Sequence, residues 1–481
     1  MTHFRQKQKP VDLPTPSLHA MNMKIACLTQ KILVSCLSGT LVLCFNAASL
    51  ARDASKPVVM AYYALGKEDI NHYDDGKTAF PVAAITATKA RMLTHLNFSF
   101  LTINEDGQCA LEEGTNLQAA GKIFRELQGL KKYNVDLRLQ FSIGGWAYTN
   151  DDSPTVGRYH TAAATAENRK KLAQSCVHFM REYGFDGLDL DWEYPRAEDA
   201  QNFVALLKEM RLQLKQAGKT NQLSIAVAGG AFNMARTYLQ LPQIAAQVDY
   251  VNLMSYDFNG AWEKLTNHNA HLFGEAREHM YENPLRKLAF KPTLTQQEME
   301  ERFPSPMVLT VDATVQQYLH AGVPASKLVM GLPFYGRAYF QVEAGENHGL
   351  YQTHLTPVGD VYAGDPGLLT GCDACTARKD PRTPGYGEIK KLLAADLGYQ
   401  SHFSNETKVP WIYNVEKKIF ISYDDGKSFA YKIAYLKKYK LAGAMFWHLG
   451  QDDDDASLLR SLYKNLHEKT PEIDLAGGVH Y

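Results

Sequence analysis

Cysteine is scarce in this chain of 481 residues. Cys27, Cys36 and Cys44 fall in an N-terminal stretch that reads as a leader, so the body keeps only Cys109, Cys176, Cys372 and Cys375. That is too few for a disulfide scaffold, and stability must come from a packed core. An excess of one charge is also missing, the formal net charge being −1. Arg5, Lys7, Lys9, Lys24 and Lys31 face only Asp12 in the leader, so the remainder is mildly acidic, which argues against a nucleic-acid partner. No apolar run reaches the ~20 residues needed to cross a bilayer. The best candidate, residues 32–45, follows Lys24 and Lys31 and leads into the small-residue stretch Asn46-Ala47-Ala48-Ser49-Leu50-Ala51. That is the anatomy of a secretory signal cut after Ala51, with Met21 or Met23 as a conventional start. A retained membrane anchor is the competing reading. Leu33-Val34-Ser35-Cys36 has the look of a lipidation box, but too little apolar sequence precedes it. The mature chain is expected outside the cytoplasm, extracellular or periplasmic, and free of the membrane.

What is present is an ordinary globular composition, 45% apolar and 21% charged. From residue 57 onward, short runs rich in Val, Ile, Leu and Tyr alternate with amphipathic helical segments, the pattern of repeated βα units around a parallel sheet. Eight runs are read as strands: 58–64, 95–101, 136–143, 185–193, 223–229, 249–257, 327–334 and 441–448. Between them, segment 168–183 places Leu172, Cys176, Phe179 and Met180 on one helical face and Lys170, Lys171 and Arg181 on the other. Eight βα units close a barrel, so the fold class is α/β, a (β/α)₈ TIM barrel. Two intervals are too long for simple crossovers. One, 263–306, contains a short helix at 295–303; the other, 338–425, carries a Gly/Pro/Tyr-rich stretch at 381–387 and a strand at 418–423. The expected organisation is a leader (1–51), a barrel (52–337 and 426–470), a small inserted α+β domain (338–425) and a tail (471–481).

The richest segment is Phe185-Asp186-Gly187-Leu188-Asp189-Leu190-Asp191-Trp192-Glu193-Tyr194-Pro195. Strand side chains alternate, so Asp189, Asp191 and Glu193 share one face at ~6.7 Å spacing, and in a barrel that face points inward. Burying three like charges is unfavourable unless a proton is shared among them. A carboxyl kept protonated in this way is a general acid, and Glu193, nearest the mouth, is the candidate.

The run Asp186-x-x-Asp189-x-Asp191-x-Glu193 resembles the signature of the family 18 glycoside hydrolases, the chitinases. The resemblance continues through Ser142-Ile-Gly-Gly-Trp146, Met254-Ser-Tyr256-Asp257-Phe-Asn-Gly260, Gly331-Leu-Pro-Phe-Tyr335-Gly-Arg337 and Ala444-Met445-Phe446-Trp447. Together these motifs cover residues 58–459, and the interval after the seventh strand resembles the chitinase insertion domain. The interval 263–306 is longer than the family pattern. The resemblance implies a substrate-assisted retaining mechanism, in which the substrate's own acetamide replaces an enzyme nucleophile. Glu193 would be general acid and base, Asp191 would hold the acetamido N–H, Asp189 would support Asp191, and Tyr256 would orient the acetamido group, with Met254 and Asp257 shaping that subsite. Asp186 is read as structural or as part of a proton relay. A chitin cleft needs flat apolar platforms. Trp146, Trp262 and Trp447 fall at predicted strand ends, with Trp447 the floor for the reacting sugar, while Tyr335 and Arg337 line the groove. Trp192 points the other way, between barrel and helices.

The expected partner is therefore chitin or a chitooligosaccharide, with no cofactor and no metal. Asp452-Asp-Asp-Asp455 reads as a solvated loop, His448 as a satisfied interior histidine, Cys176 as a core residue and Cys372-Asp-Ala-Cys375 as a local disulfide. Two readings compete on function: a catalytically weak chitin-binding lectin of the same fold, and an endo-β-N-acetylglucosaminidase acting on N-glycans. A purely structural scaffold leaves the acid row unexplained.

Overall fold

The computed structural model describes residues 56–64, 80–230, 238, 240–275, 309–359, 381–468 and 473–476. The expected helix at 295–303 and the pair Cys372 and Cys375 lie outside them. The apolar runs form β1 (Val58–Ala64), β2 (His95–Ile103), β3 (Cys109–Ala110), β4 (Arg138–Gly144), β5 (Gly187–Asp191), β6 (Gln222–Ala228), β7 (Tyr250–Met254) and β8 (Leu328–Pro333). β9 (Arg337–Phe340), β10 (Tyr399–Phe403), β11 (Pro410–Asn414), β12 (Ile419–Ser422) and β13 (Gly443–Trp447) follow. Strands β1, β2, β4, β5, β6, β7, β8 and β13 pair in parallel in that order, and β13 returns to β1. The result is a closed (β/α)₈ barrel, the architecture that the alternation of runs implied.

The helices are α1 (Ala87–Met92), α2 (Leu117–Gly129), α3 (Trp146–Thr149), α4 (Gly157–Ala164), α5 (Ala166–Glu182), α6 (Ala200–Ala217) and α7 (Leu241–Gln247). After them come α8 (Val311–His320), α9 (Tyr386–Ala394), α10 (Gly426–Lys438) and α11 (Ser457–His467). α5 shows how local signals decide an element. Thr165 accepts the Asn168 N–H as N-cap, Glu167 sits in the first turn and Arg181 in the last, each complementing the helix dipole. Leu172, Ala173, Cys176, Val177 and Met180 are buried against the barrel.

The barrel interior is divided. Val58, Met60, Tyr62, Tyr250, Val329 and Met445 pack as one apolar cluster from β1, β7, β8 and β13. Opposite them, β2, β4, β5 and β6 point His95, Asn97, Gln140, Ser142, Asp189, Gln222 and Ser224 inward, all buried. His95 Nε2 and Gln222 Oε1 meet at 2.8 Å near the base of this polar half.

A second, antiparallel sheet, ordered β10-β11-β12-β9, lies in sequence between β8 and α10 and is accompanied by α9. One face of this sheet packs Tyr339, Trp411, Tyr413 and Phe420 together. From the other, Ala338, Phe340, Ile412, Ile419 and Ile421 join the main core. Where β12 hands over to α10, Lys432 is fully buried and reaches both carboxylate oxygens of Asp424 at 2.6 and 2.7 Å, with the Ser428 hydroxyl donating at 2.7 Å. Breaking such a pair leaves an uncompensated interior charge. Lys432→Met is therefore expected to cost about 3–5 kcal/mol in denaturant unfolding, and Asp424→Leu added to it to recover part of that loss.

Three expectations need correction. The run 185–193 leaves the sheet after Asp191, whose carbonyl makes the last bond to the neighbouring strand by accepting the Gly145 N–H at 2.8 Å, because the Glu193 N–H turns to Thr149 Oγ1 at 3.0 Å. Asp452 and Asp453 do not form a solvated loop. Asp452 accepts the backbone N–H groups of Leu458 and Leu459, and Asp453 that of Ser457, so both satisfy the exposed donors at the start of α11. His448 is only half-buried, and its Nδ1 accepts the Gly450 N–H at 3.2 Å.

Candidate active site

The site lies at the C-terminal mouth of the barrel and begins with two acids of β5. Asp189, fully buried, accepts hydrogen bonds from Tyr62 Oη (2.9 Å), Ser142 Oγ (2.7 Å), Ser224 Oγ (2.6 Å) and Asn252 Nδ2 (3.1 Å). Burial pushes its pKa up and these donors pull it part of the way back. Two residues on, Asp191 is 4% exposed and its Oδ1 has no hydrogen-bond partner. Burial drives its pKa well above the usual carboxylate range, and repulsion from Glu193 and Asp189 adds to the effect.

Glu193 is half-buried at the opening. Burial is the main reason its carboxyl is raised to about 7; the nearby Asp257 charge adds to the rise, while hydrogen bonds from the Tyr194 side chain and the Trp146 backbone N–H oppose it. Asp191 and Glu193 are thus linked electrostatically, charge on Glu193 disfavouring ionisation of Asp191. Chemically, such a pair can deliver a proton to a leaving group and keep an anion facing a developing cation.

Local backbone geometry allows this crowding. Gly144 has φ +113°, and a Cβ there would stand 2.1 Å from the Asp191 carbonyl oxygen. Gly145, at φ +83°, would put a Cβ 2.5 Å from the Phe100 ring. Only glycines let β4 turn this closely past β5 and β2.

The other expected residues gather around the acids. Trp447, ending β13, stacks on Phe100 at 5.5 Å and 15° and leans on Tyr62 at 5.7 Å. Tyr256 follows β7, half-buried, its hydroxyl 3.9 Å from Met445 Sδ and its ring edge-on to Tyr335 at 6.2 Å. Nearby carboxylates, with burial the larger cause, raise its hydroxyl well above the usual tyrosine value. Met254, half-buried, packs against the interior apolar cluster. Asp257 sits at φ +56°, its N–H held by Asn269 Oδ1 at 3.0 Å. Arg337 donates to it through Nε at 2.7 Å, while the guanidinium lies 5.0 Å over the Trp262 ring. Trp146 and Trp262 are 52% and 47% exposed, open enough to serve as apolar platforms.

One position falls elsewhere, while Asp186 stands away from the mouth as its place in the motif implies. Tyr335 is only 5% exposed and hydrogen-bonds Asp257, so it backs Arg337 and does not line the groove. Asp186 lies at the opposite end of β5, where it accepts the Leu139 N–H at 2.9 Å and pairs with Lys131 at 2.7 Å. Its role is structural. Trp192 is indeed turned outward, 1% exposed and stacked on Tyr159 at 4.9 Å.

Sequence reasoning missed the donors to Asp189 and the ring of Phe100. A signal for the donors exists: Gln140-Phe-Ser142 and Gln222-Leu-Ser224 put polar residues at every second position of otherwise apolar strands, on the face that enters the barrel.

Known proteins agree with this architecture. The family model of glycosyl hydrolases family 18 matches residues 58–452. Chitinase B of Serratia marcescens is 44% identical over 442 residues, covering 89% of this chain and 88% of its own. Chitinase A1 of Niallia circulans is 36% identical over 69% of this chain and 43% of its own. Among solved structures, the group IV chitinase of Ostrinia furnacalis in complex with allosamidin superposes with a TM-score of 0.67 at 27% identity, covering 85% of this chain and 99% of its own. Matched across its whole barrel and at this level of identity, the chain belongs to the glycosyl hydrolases of family 18.

Proposed function

We propose that this protein is a chitinase that hydrolyses β-1,4 linkages between N-acetylglucosamine units by a substrate-assisted retaining mechanism, with Glu193 as general acid and base. The observation that carries the reading is the row of acids Asp189, Asp191 and Glu193, fully buried at its base and half-buried at the mouth. The chitinase relatives support the substrate class.

In the first step Glu193 gives its proton to the glycosidic oxygen as that oxygen leaves the anomeric carbon. The acetamido carbonyl oxygen of the same sugar attacks the carbon from the opposite side and forms an oxazolinium ion. Asp191 accepts a hydrogen bond from the acetamido N–H and faces the positive charge, a fixed anion in a poorly solvated place. Asp189, held by its donors, keeps Asp191 from drifting, and Tyr256 orients the acetamido group. Water then attacks the anomeric carbon, loses its proton to the Glu193 carboxylate and restores the original configuration. Trp447 supplies the floor beneath the reacting ring, and Trp146 and Trp262 supply platforms for its neighbours. We also propose export of the mature chain, on the strength of the leader at residues 1–51.

Release of a chromophore from chitobioside and chitotrioside tests the reading. Turnover is expected, and its absence in the wild-type protein would favour the lectin alternative. The pH profile has a stated direction as well. Glu193 must be protonated to act, so it is competent below its raised pKa and the rate should fall as pH rises through about 7. Faster cleavage of a high-mannose glycoprotein than of a chitin hexamer would move the assignment to N-glycans.

A further inference from the structure

Glu193 lies beyond the last residue of β5, so strand pairing does not hold it. Beside the Thr149 bond to its N–H, further restraints come from the outer side of the barrel wall. Trp192, directly before it, stacks on Tyr159 at 4.9 Å and 15°, meets Phe203 edge-on at 5.7 Å and meets the His160 ring edge-on at 5.1 Å. Tyr159 is itself fixed, its hydroxyl donating to the Ile143 carbonyl at 2.6 Å. His160 Nδ1 stands 2.6 Å from Asp199 Oδ2, and that same oxygen accepts the Arg196 backbone N–H at 2.9 Å. The segment 192–199 is thus gripped at both ends by neighbouring residues of α4.

The arrangement is costly for a mere cap. Asp199 is 5% exposed, and the second ring nitrogen of His160, Nε2, is buried with no hydrogen-bond partner. Capping the turn needs only the Arg196 contact. The imidazole adds a link from that turn back to the residue preceding Glu193.

We propose that His160 is a positioning residue: through Asp199 and Trp192 it fixes the 192–199 segment so that the Glu193 carboxyl meets the leaving oxygen. The inference rests on Glu193 being the general acid. A misplaced acid has a signature that a loosened fold lacks, because a leaving group of low basicity needs little protonation whereas a sugar hydroxyl needs much.

The test compares kcat/KM, which reports bond cleavage and not the later attack of water, on chitotetraose, whose leaving group is a sugar, with that on a dinitrophenyl chitobioside. His160→Ala is expected to slow the first about tenfold and the second less than about twofold, with little change in KM. His160→Asn, which can place an N–H where Nδ1 stands, should restore most of the rate. His160→Gln keeps more bulk but puts its amide nearer the Nε2 position, and should behave like Ala even if Ala itself folds poorly. Equal losses on both substrates, or no loss on either, would overturn the proposal. Glu193→Gln run alongside separates the two ideas: if it retains the wild-type rate on chitotetraose, the acid assignment has failed, whatever His160 does.

Discussion

Replacing Glu193 with Gln should slow chitotrioside hydrolysis by about 10²–10⁴-fold, the usual range for removing a positioned general acid. The substitution keeps the size and hydrogen-bonding reach of the side chain while deleting the proton it donates. Its backbone N–H bond to Thr149 Oγ1 at 3.0 Å does not involve the side chain and should persist. The platforms at Trp146, Trp262 and Trp447 are likewise untouched, so binding of chitooligosaccharides, followed by calorimetry or tryptophan fluorescence, is expected to stay close to wild type. The alkaline limb of the pH profile should disappear along with the rate, because the group raised to about 7 is gone. A variant that turned over normally would end the acid assignment.

Asp191→Asn is expected to produce a loss of about 10²–10³-fold, the magnitude of removing one preorganised electrostatic contact from a shielded site. Two effects are combined. The oxazolinium ion loses the anion that faces it, and Glu193 loses the carboxyl with which it interacts electrostatically. The second effect gives a direction that the first does not. Removing a nearby negative charge makes ionisation of Glu193 easier, so its pKa falls and the residual activity should decline at lower pH than in the wild-type protein. Rate against pH for both proteins on one substrate checks this. An unchanged limb with a large loss of rate would show that Asp191 does not act on the Glu193 charge.

Much of this is legible in the amino-acid sequence itself. The order of apolar runs and helical segments specified the closed barrel, and acids at alternate positions located the chemistry, because side-chain alternation is a geometric property of any strand. The places where the reading slipped have physical causes. Glu193 was expected in register with its neighbours, but Thr149 draws its N–H away from the sheet. Asp452 and Asp453 looked like surface charge because a run of identical residues hides which member caps the next helix. Tyr335 was assigned to the groove, yet its bond to Asp257 and its burial set it behind Arg337. Tyr62, Ser142, Ser224 and Asn252 are far apart in sequence and meet only once the barrel closes, which no local pattern announces.

That last meeting makes Asp189 a keystone. Its contacts arrive from β4 and β6 on either side of its own strand and from β7 and β1 beyond them, so a carboxylate belonging to the chemistry also records whether these strands have come together. Lifting any one of those strands strips solvation from a charge that cannot reach water, and the neighbouring strands then hold it less willingly. Assembly of the catalytic centre and sealing of the cylinder are in this sense a single event: a half-open molecule has no partly working site to offer.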